Sequence, residues 1–173
     1  MSAPNPGLSI AQVRTPAEIA AVEALLREYT TWAYSLEAES DFAPTFEGLE
    51  RELSTLPGIY SPPAGRLLLA TQDGKPAGCI ALKPHDAANG ELKRVYVRSE
   101  FRGLSIGRHL VAAAIGEARS IGYRRLVLDS HVSMTNAHAL YESAGFRRVP
   151  APSDFPESLR AIVVFMEMDL PGS

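Results

Sequence analysis

The chain reads as an α/β protein of the mixed α+β kind: a central mixed, mostly antiparallel sheet of about six or seven strands flanked by about four helices. Three observations predict this. Short aliphatic and β-branched runs between residues 66 and 97 are separated by turn sequences, which predicts an antiparallel meander. From Glu91 to His131 the order is strand, glycine-containing loop, amphipathic helix, strand, and this implies a right-handed crossover with one parallel strand pair. A further helix and two strand-like runs, FRRVP and AIVVFMEMDL, follow it.

Residues 1–7 are rich in Pro, Asn and Gly and read as a loose tail, after which Leu8 to Arg14 alternates as a strand should. Thr15, Pro16 and Glu18 open a helix: threonine caps, proline suits the first helical position, and glutamate completes a capping box. Ile19, Val22, Leu25, Leu26, Tyr29 and Trp32 then share one face, carrying the helix to about Tyr34. Phe46 to Leu56 reads as a second, shorter helix stopped by Pro57 and Gly58, with Glu37 to Pro44 as an acidic, aromatic connection.

Strands Arg66 to Thr71 and Ala77 to Lys83 flank Asp73 and Gly74, both tolerant of positive φ. HDAANG turns the chain into the strand ELKRVYV. Ser105 to Ile121 is a helix with Ile106, Leu110, Val111, Ala114, Ile115 and Ala118 facing inward and Gly122 ending it. Arg124 to His131 is the strand after it, and Met134 to Ala144 the last helix, stopped by Gly145.

Size and composition set bounds. At 173 residues the chain suits one well-buried core, so one domain spanning 1–173 is expected. A net charge of −3 and no clustered basic surface argue against a nucleic-acid partner. No apolar run approaches the roughly 20 residues that cross a bilayer, so no membrane partner is expected. The opening residues lack the pattern of a secretion signal and Cys79 has no second cysteine to pair with, which together predict a cytoplasmic home. His85, His109, His131 and His138 are scattered without a second ligand at metal spacing, so no metal is expected.

The stretch from Glu91 to Gly107, ELKRVYVRSEFRGLSIG, carries the most chemistry. Along Arg102, Gly103, Leu104, Ser105, Ile106 and Gly107 the glycines permit tight turns, so several N–H groups converge on one anion while the following helix adds its N-terminal dipole. Such a loop binds phosphate oxygens without a lysine. An ordinary turn entering a helix is the alternative that the loop alone leaves open.

This order of elements, with Arg102 to Gly107 at its centre and ALYESAGF (Ala139 to Phe146) near its end, resembles the GNAT superfamily of acyl-CoA-dependent N-acetyltransferases over nearly the whole chain. The family's phosphate loop reads Gln or Arg, two free positions, Gly, one free position, then Gly or Ala. Arg102, Ser105 and Gly107 occupy the defined places, with Ser105 departing from glycine. Tyr141, Gly145 and Phe146 match the later motif, whereas Met134 stands where the family commonly has an asparagine and Asn136 lies two residues off register.

The resemblance implies a GNAT-like fold, acetyl-CoA as co-substrate, and transfer of its acetyl group to a primary amine by direct attack in a ternary complex. It also implies that pantetheine pairs with the open backbone of Val95, Tyr96 and Val97, that Arg102 braces the loop or its phosphate, and that Arg108 reaches toward a phosphate unless it is only a solvated helix charge. A non-catalytic acyl-CoA-binding module on the same fold is the alternative.

A primary amine with a pKa of about 10.4 is protonated at neutral pH and must lose a proton before it attacks. Glu91, at the start of the strand leading to the loop, is the candidate base, and two-residue periodicity puts it on one face with Lys93, Val95 and Val97. Its alternative is an exposed strand-end glutamate. Tyr141 is the candidate acid for the leaving thiolate; its alternative is a ring packed between helix and sheet. Cys79, in an alternating strand, reads as a small core residue and not a nucleophile.

For the acceptor, Tyr29, Trp32, Tyr34, Phe42 and Phe46 interleave with Glu37, Glu39 and Asp41 as an aromatic, acidic pocket for a cationic amine; a plain helix pair with a solvated acidic loop is the alternative. Trp32, Tyr34 and His131 are the acceptor-site candidates, His131 because it ends the strand beside the expected splay, where it would contact the acceptor or act as another base; a capping or surface role is its alternative. A small-molecule amine or amino acid is expected as acceptor, since no basic or extended groove is readable, and a homodimer is compatible with the chain.

Overall fold

The computed structural model describes residues 5–36 and 46–172. Its elements are β1 (Leu8–Gln12), α1 (Pro16–Leu36), α2 (Leu49–Ser54), β2 (Arg66–Gln72), β3 (Lys75–Pro84), β4 (Asn89–Val97), α3 (Ile106–Ile121), β5 (Arg125–His131), α4 (Thr135–Ala144), β6 (Arg147–Val149) and β7 (Val163–Asp169). The seven strands form one sheet in the order β1-β2-β3-β4-β5-β7-β6, antiparallel except where β4 meets β5. This is the expected mixed, mostly antiparallel sheet with its four helices.

Local chemistry accounts for the boundaries. Thr15 and Glu18 close a reciprocal capping box, the Glu18 backbone N–H donating to Thr15 Oγ1 at 3.2 Å and the Thr15 N–H to Glu18 Oε2 at 3.0 Å. Asp73 and Gly74 turn β2 into β3 with φ of 50° and 79°. Gly122 and Gly145 end α3 and α4 in the left-handed region. Helix α2 is shorter than Phe46 to Leu56: residues 46–48 form a turn and Gly48, at φ 75°, precedes the first helical residue.

Each sheet face buries its own core. Helices α3 and α4 cover one face, where the inward residues of α3 are the six expected from its periodicity and pack with Leu82, Leu92 and Leu126. Helices α1 and α2 cover the other, where Val22, Leu25 and Leu26 meet Leu67, Leu69 and Ala81. Roughly 25 cal/mol per Å² of apolar area removed from water drives both. No helix among the described residues is long and apolar enough to cross a membrane.

One strand departs from the expected alternation. β3 and β4 pair as Cys79↔Tyr96 and Ala81↔Lys93, so Arg94 and Val95 together oppose Ile80, and Arg94 takes φ 59°. This bulge breaks the period: Leu92, Val95 and Val97 pack with the α3 core and Tyr96 with the α1 core. Glu91 and Lys93 therefore do not share a face with Val95 and Val97, which corrects the two-residue reading of ELKRVYV.

Candidate active site at the strand fork

β4 and β5 are joined through only Asn89↔Arg125, Gly90↔Leu126 and Glu91↔Val127. Beyond Glu91 the strands part, while β5 stays paired to β7 as far as His131↔Val163. Right-handed strand twist and the extra residue at the β4 bulge drive the separation. A cavity of about 490 Å³ fills the fork. Both parting strands line it, together with the start of α3, the start of α4, and Tyr29 and Trp32 of α1.

At one mouth lies the loop expected to bind phosphate. Gly103 has φ 87° and Ser105 φ 59°, so the serine in the glycine position adopts glycine's left-handed conformation. Ser105 then begins α3, whose first-turn N–H groups have no partner within the helix and face the anion-favouring end of its dipole. A Cβ on Gly107 would stand 3.2 Å from Leu140 Cδ2, so glycine here lets α3 lie close to α4. The loop, the helix end and the unpaired run of β4 fit the diphosphate and pantetheine portions of a coenzyme A ester.

Arg102 is a brace. Its Nε donates to the Val97 carbonyl at 3.2 Å and its guanidinium lies 4.8 Å from the Trp32 ring centroid. Arg98 performs a similar office one turn earlier, with two guanidinium nitrogens on Glu28 of α1 and Nη1 on the Pro76 carbonyl. These arginines fasten α1 to the end of β4.

Among the sequence candidates, the cavity gathers Trp32, Val95, Tyr96, Val97, Arg102, Gly103, Ser105, Ile106, Gly107, His131 and Tyr141. Leu104 lies outside it, its carbonyl accepting from Asn5 Nδ2 at 3.0 Å. Arg108 lines a separate groove of about 370 Å³ with Arg119, Ser143 and Met168. Tyr34 packs edge-on against Phe46, 5.7 Å between centroids, beneath α1. Glu91 stands at the point of the fork, not in the lining; Lys83 Nζ lies 3.4 Å and Lys93 Nζ 3.8 Å from its carboxylate. Glu37, Glu39, Asp41 and Phe42 lie outside the described residues.

Tyr141 is 7% exposed, packs edge-on with Phe146 and lines the cavity. Burial pushes its phenol well above the usual value, and it is a neutral donor at physiological pH. Tyr29, stacked on Tyr96 at 5.3 Å, is pushed up to about 12, mainly by burial. At His131 the Ser133 backbone N–H donates to Nδ1 at 3.2 Å, making that nitrogen an acceptor. Cys79 is fully buried and its thiol is pushed up to about 12, chiefly by burial. No group of three or more metal-ligating side chains occurs among the described residues.

Two features escaped the sequence. Asp129 of β5 is exposed into the cavity, and desolvation by the walls around it raises its carboxyl above the usual range despite Lys93 nearby. Its single signal was the one acidic residue in RLVLDSH. Arg94, at the bulge, sends its guanidinium to Glu52 of α2, with Nη2 to Oε2 at 2.8 Å and Nε to Oε1 at 3.1 Å. Only a left-handed φ explains how a strand residue reaches that helix, and no local signal announces it.

A mixed sheet forked at its parallel junction, with a helix N-terminus set at the mouth of the fork, defines an acyl-CoA-dependent acyltransferase. The chain belongs to the acetyltransferase (GNAT) family, whose model matches residues 20–146. It is 34% identical over 142 residues to an N-acetyltransferase of Schizosaccharomyces pombe, covering 81% of this chain and 83% of that one. It is also 36% identical over 109 residues to the N-acetylaspartate synthetase of Mus musculus, a match covering 62% of this chain and 36% of that protein. The PaiA N-acetyltransferase of Thermoplasma acidophilum, solved with coenzyme A, shares the fold with a TM-score of 0.75, at 19% identity over 94% of this chain and 99% of that one.

Proposed function

We propose that the protein moves the acetyl group of acetyl-CoA to the primary amine of a small molecule or amino acid by direct attack, with both substrates bound together. One observation carries this reading: a single cavity reaches from the α3 loop to the aromatic face of α1 through the strand fork, so two substrates meet there without a covalent enzyme intermediate. The buried, protonated Cys79 gives no support to an acyl-cysteine route. The names of relatives, N-acetylaspartate synthetase and the IAA acetyltransferase of Azospirillum brasilense, favour small acceptors.

In this reading the loop from Arg102 to Gly107 holds the diphosphate, and β4 beyond Glu91 orients the pantetheine and thioester through its backbone. The acceptor ammonium first gives up a proton. Glu91, behind the cavity wall and flanked by lysines, receives it by way of water. Nitrogen then bonds to the acetyl carbon as the carbon–sulfur bond breaks, Tyr141 protonates the departing sulfur, and the second proton lost by nitrogen returns the phenol to its neutral form. One proton is released per turnover.

The test is a panel of primary amines incubated with acetyl-CoA while free thiol is followed. Thiol release that depends on an amine, and falls in Tyr141→Phe and Glu91→Gln with coenzyme affinity retained, supports the reading. Absence of release with every amine rejects it.

A further inference from the structure

We infer that Asp129 and Lys93 form the acceptor subsite, a carboxylate and an ammonium held apart across the fork, which takes an amine bearing its own carboxylate in preference to a plain amine. This rests on the transferase reading above and narrows its acceptor to an amino-acid-like zwitterion.

The geometry starts from register. Glu91 pairs with Val127, so two residues farther along each strand Lys93 and Asp129 come opposite one another on the α1 face, just where the strands have parted. Both side chains line the cavity. Among the described residues they make no ion pair with each other, and no hydrogen bond or ion pair holds the Asp129 carboxylate. Opposite charges that face each other without closing leave space for a ligand that answers both.

The surrounding charges leave Asp129 without a protein partner and hold Lys93 only loosely. Lys93 meets Glu91 only at 3.8 Å, and Glu91 is shared with Lys83 at 3.4 Å and with His85 Nδ1 at 3.7 Å. The charges that act on Asp129 are Lys93, Arg94 and Lys83 in its favour and Glu91 against it, and Arg94 is committed to Glu52. An acceptor whose ammonium rests on Asp129 has its nitrogen in the same cavity as Tyr141, and its carboxylate turns toward Lys93. Tyr29 and Trp32 supply an aromatic wall for the remainder of the molecule. Asp129 is then the first station for the ammonium's proton, with Glu91 behind it on the same face.

The experiment measures kcat and KM with acetyl-CoA for matched acceptors that differ by one carboxylate: phenylalanine with phenethylamine, tyrosine with tyramine, lysine with cadaverine. The expected result is a preference of about tenfold or more in kcat/KM for the carboxylate-bearing member of at least one pair, the factor one charge-assisted hydrogen bond supplies. Lys93→Met should abolish that preference by raising KM for the amino acid alone, and Lys93→Arg should restore it. Asp129→Asn should lower kcat/KM for both members while coenzyme A affinity, read by calorimetry, stays unchanged and so reports an intact fold. Equal use of both members of every pair that reacts, or an equal loss for both in Lys93→Met, overturns the subsite while leaving the transferase reading standing. No thiol release with any amine overturns both.

Discussion

Arg94, the bulge residue of β4, is tied to Glu52 of α2 by a two-pronged ion pair with nitrogen–oxygen distances of 2.8 and 3.1 Å. Glu52 Oε1 also accepts the Tyr60 hydroxyl at 2.5 Å, and the Arg94 side chain is 4% exposed. A non-glycine residue in the left-handed region costs about 1–2 kcal/mol, and this ion pair offsets that cost. The helix thereby holds open the strand against which the coenzyme is proposed to lie.

Removing the carboxylate strands a buried guanidinium. Glu52→Ala should destabilise the protein by about 3 kcal/mol, measured by urea unfolding, because the partner charge is left uncompensated. It should also weaken coenzyme A binding even though Glu52 does not line the cavity.

The same pair sets a pH dependence. Burial works against the Glu52 charge, but the Arg94 hydrogen bonds and charge and the Tyr60 hydroxyl outweigh it and hold the carboxyl below the usual range. A depressed folded-state value means the stabilisation is complete above the unfolded pKa, about 4.3, and is lost as pH falls through the folded one. The stability difference between the wild type and Glu52→Gln should therefore be largest near neutrality and shrink on acidification below about pH 4. A difference that grows toward acid would contradict the assignment.

Most of the architecture was legible because its signals are local. The capping box at Thr15 and Glu18, the Asp73-Gly74 turn and the inward stripe of α3 are each written within a few residues, and each appears as read. Arg94 was not legible, since φ at a bulge is imposed by pairing with β3 and by Glu52 of a helix 42 positions earlier in the chain. Asp129 was hidden for a related reason: one aspartate in a strand becomes a cavity residue only once the neighbouring strand has moved away. Within the loop, the residue types indicated the turn, but only the structure assigns the left-handed conformation to Ser105.

Ser105→Val tests that conformation. A β-branched residue at φ 59° should cost about 1–2 kcal/mol and weaken coenzyme A binding, whereas Ser105→Gly should retain both stability and affinity. Thermal melting and calorimetry on the two variants separate backbone strain from loss of the hydroxyl.

Tyr141→Phe should lower kcat by about 10²-fold, within the range for losing a general acid, and leave coenzyme A affinity nearly unchanged. Stopped-flow measurement of thiol release distinguishes slowed chemistry from slowed binding. Unchanged turnover would reduce Tyr141 to a packed ring.

Trp32→Ala should raise the KM for acetyl-CoA although Trp32 belongs to α1, because the Arg102 guanidinium that anchors to Val97 rests on the indole at 4.8 Å. A double-mutant cycle with Arg102→Ala should give a coupling of about 0.5–1 kcal/mol.

The two parts of the sheet are stitched across the parallel junction by just three residue pairs, from Asn89↔Arg125 to Glu91↔Val127. In the proposed reading, a coenzyme that hydrogen-bonds along β4 beyond Glu91 extends that seam as a further strand would, and cosubstrate and scaffold would share one cooperative unit. Saturation at a hundred times Kd would then add about 2.7 kcal/mol to the unfolding free energy. Amide exchange along 92–97 should slow most, and the protein should be hardest to unfold while it is working.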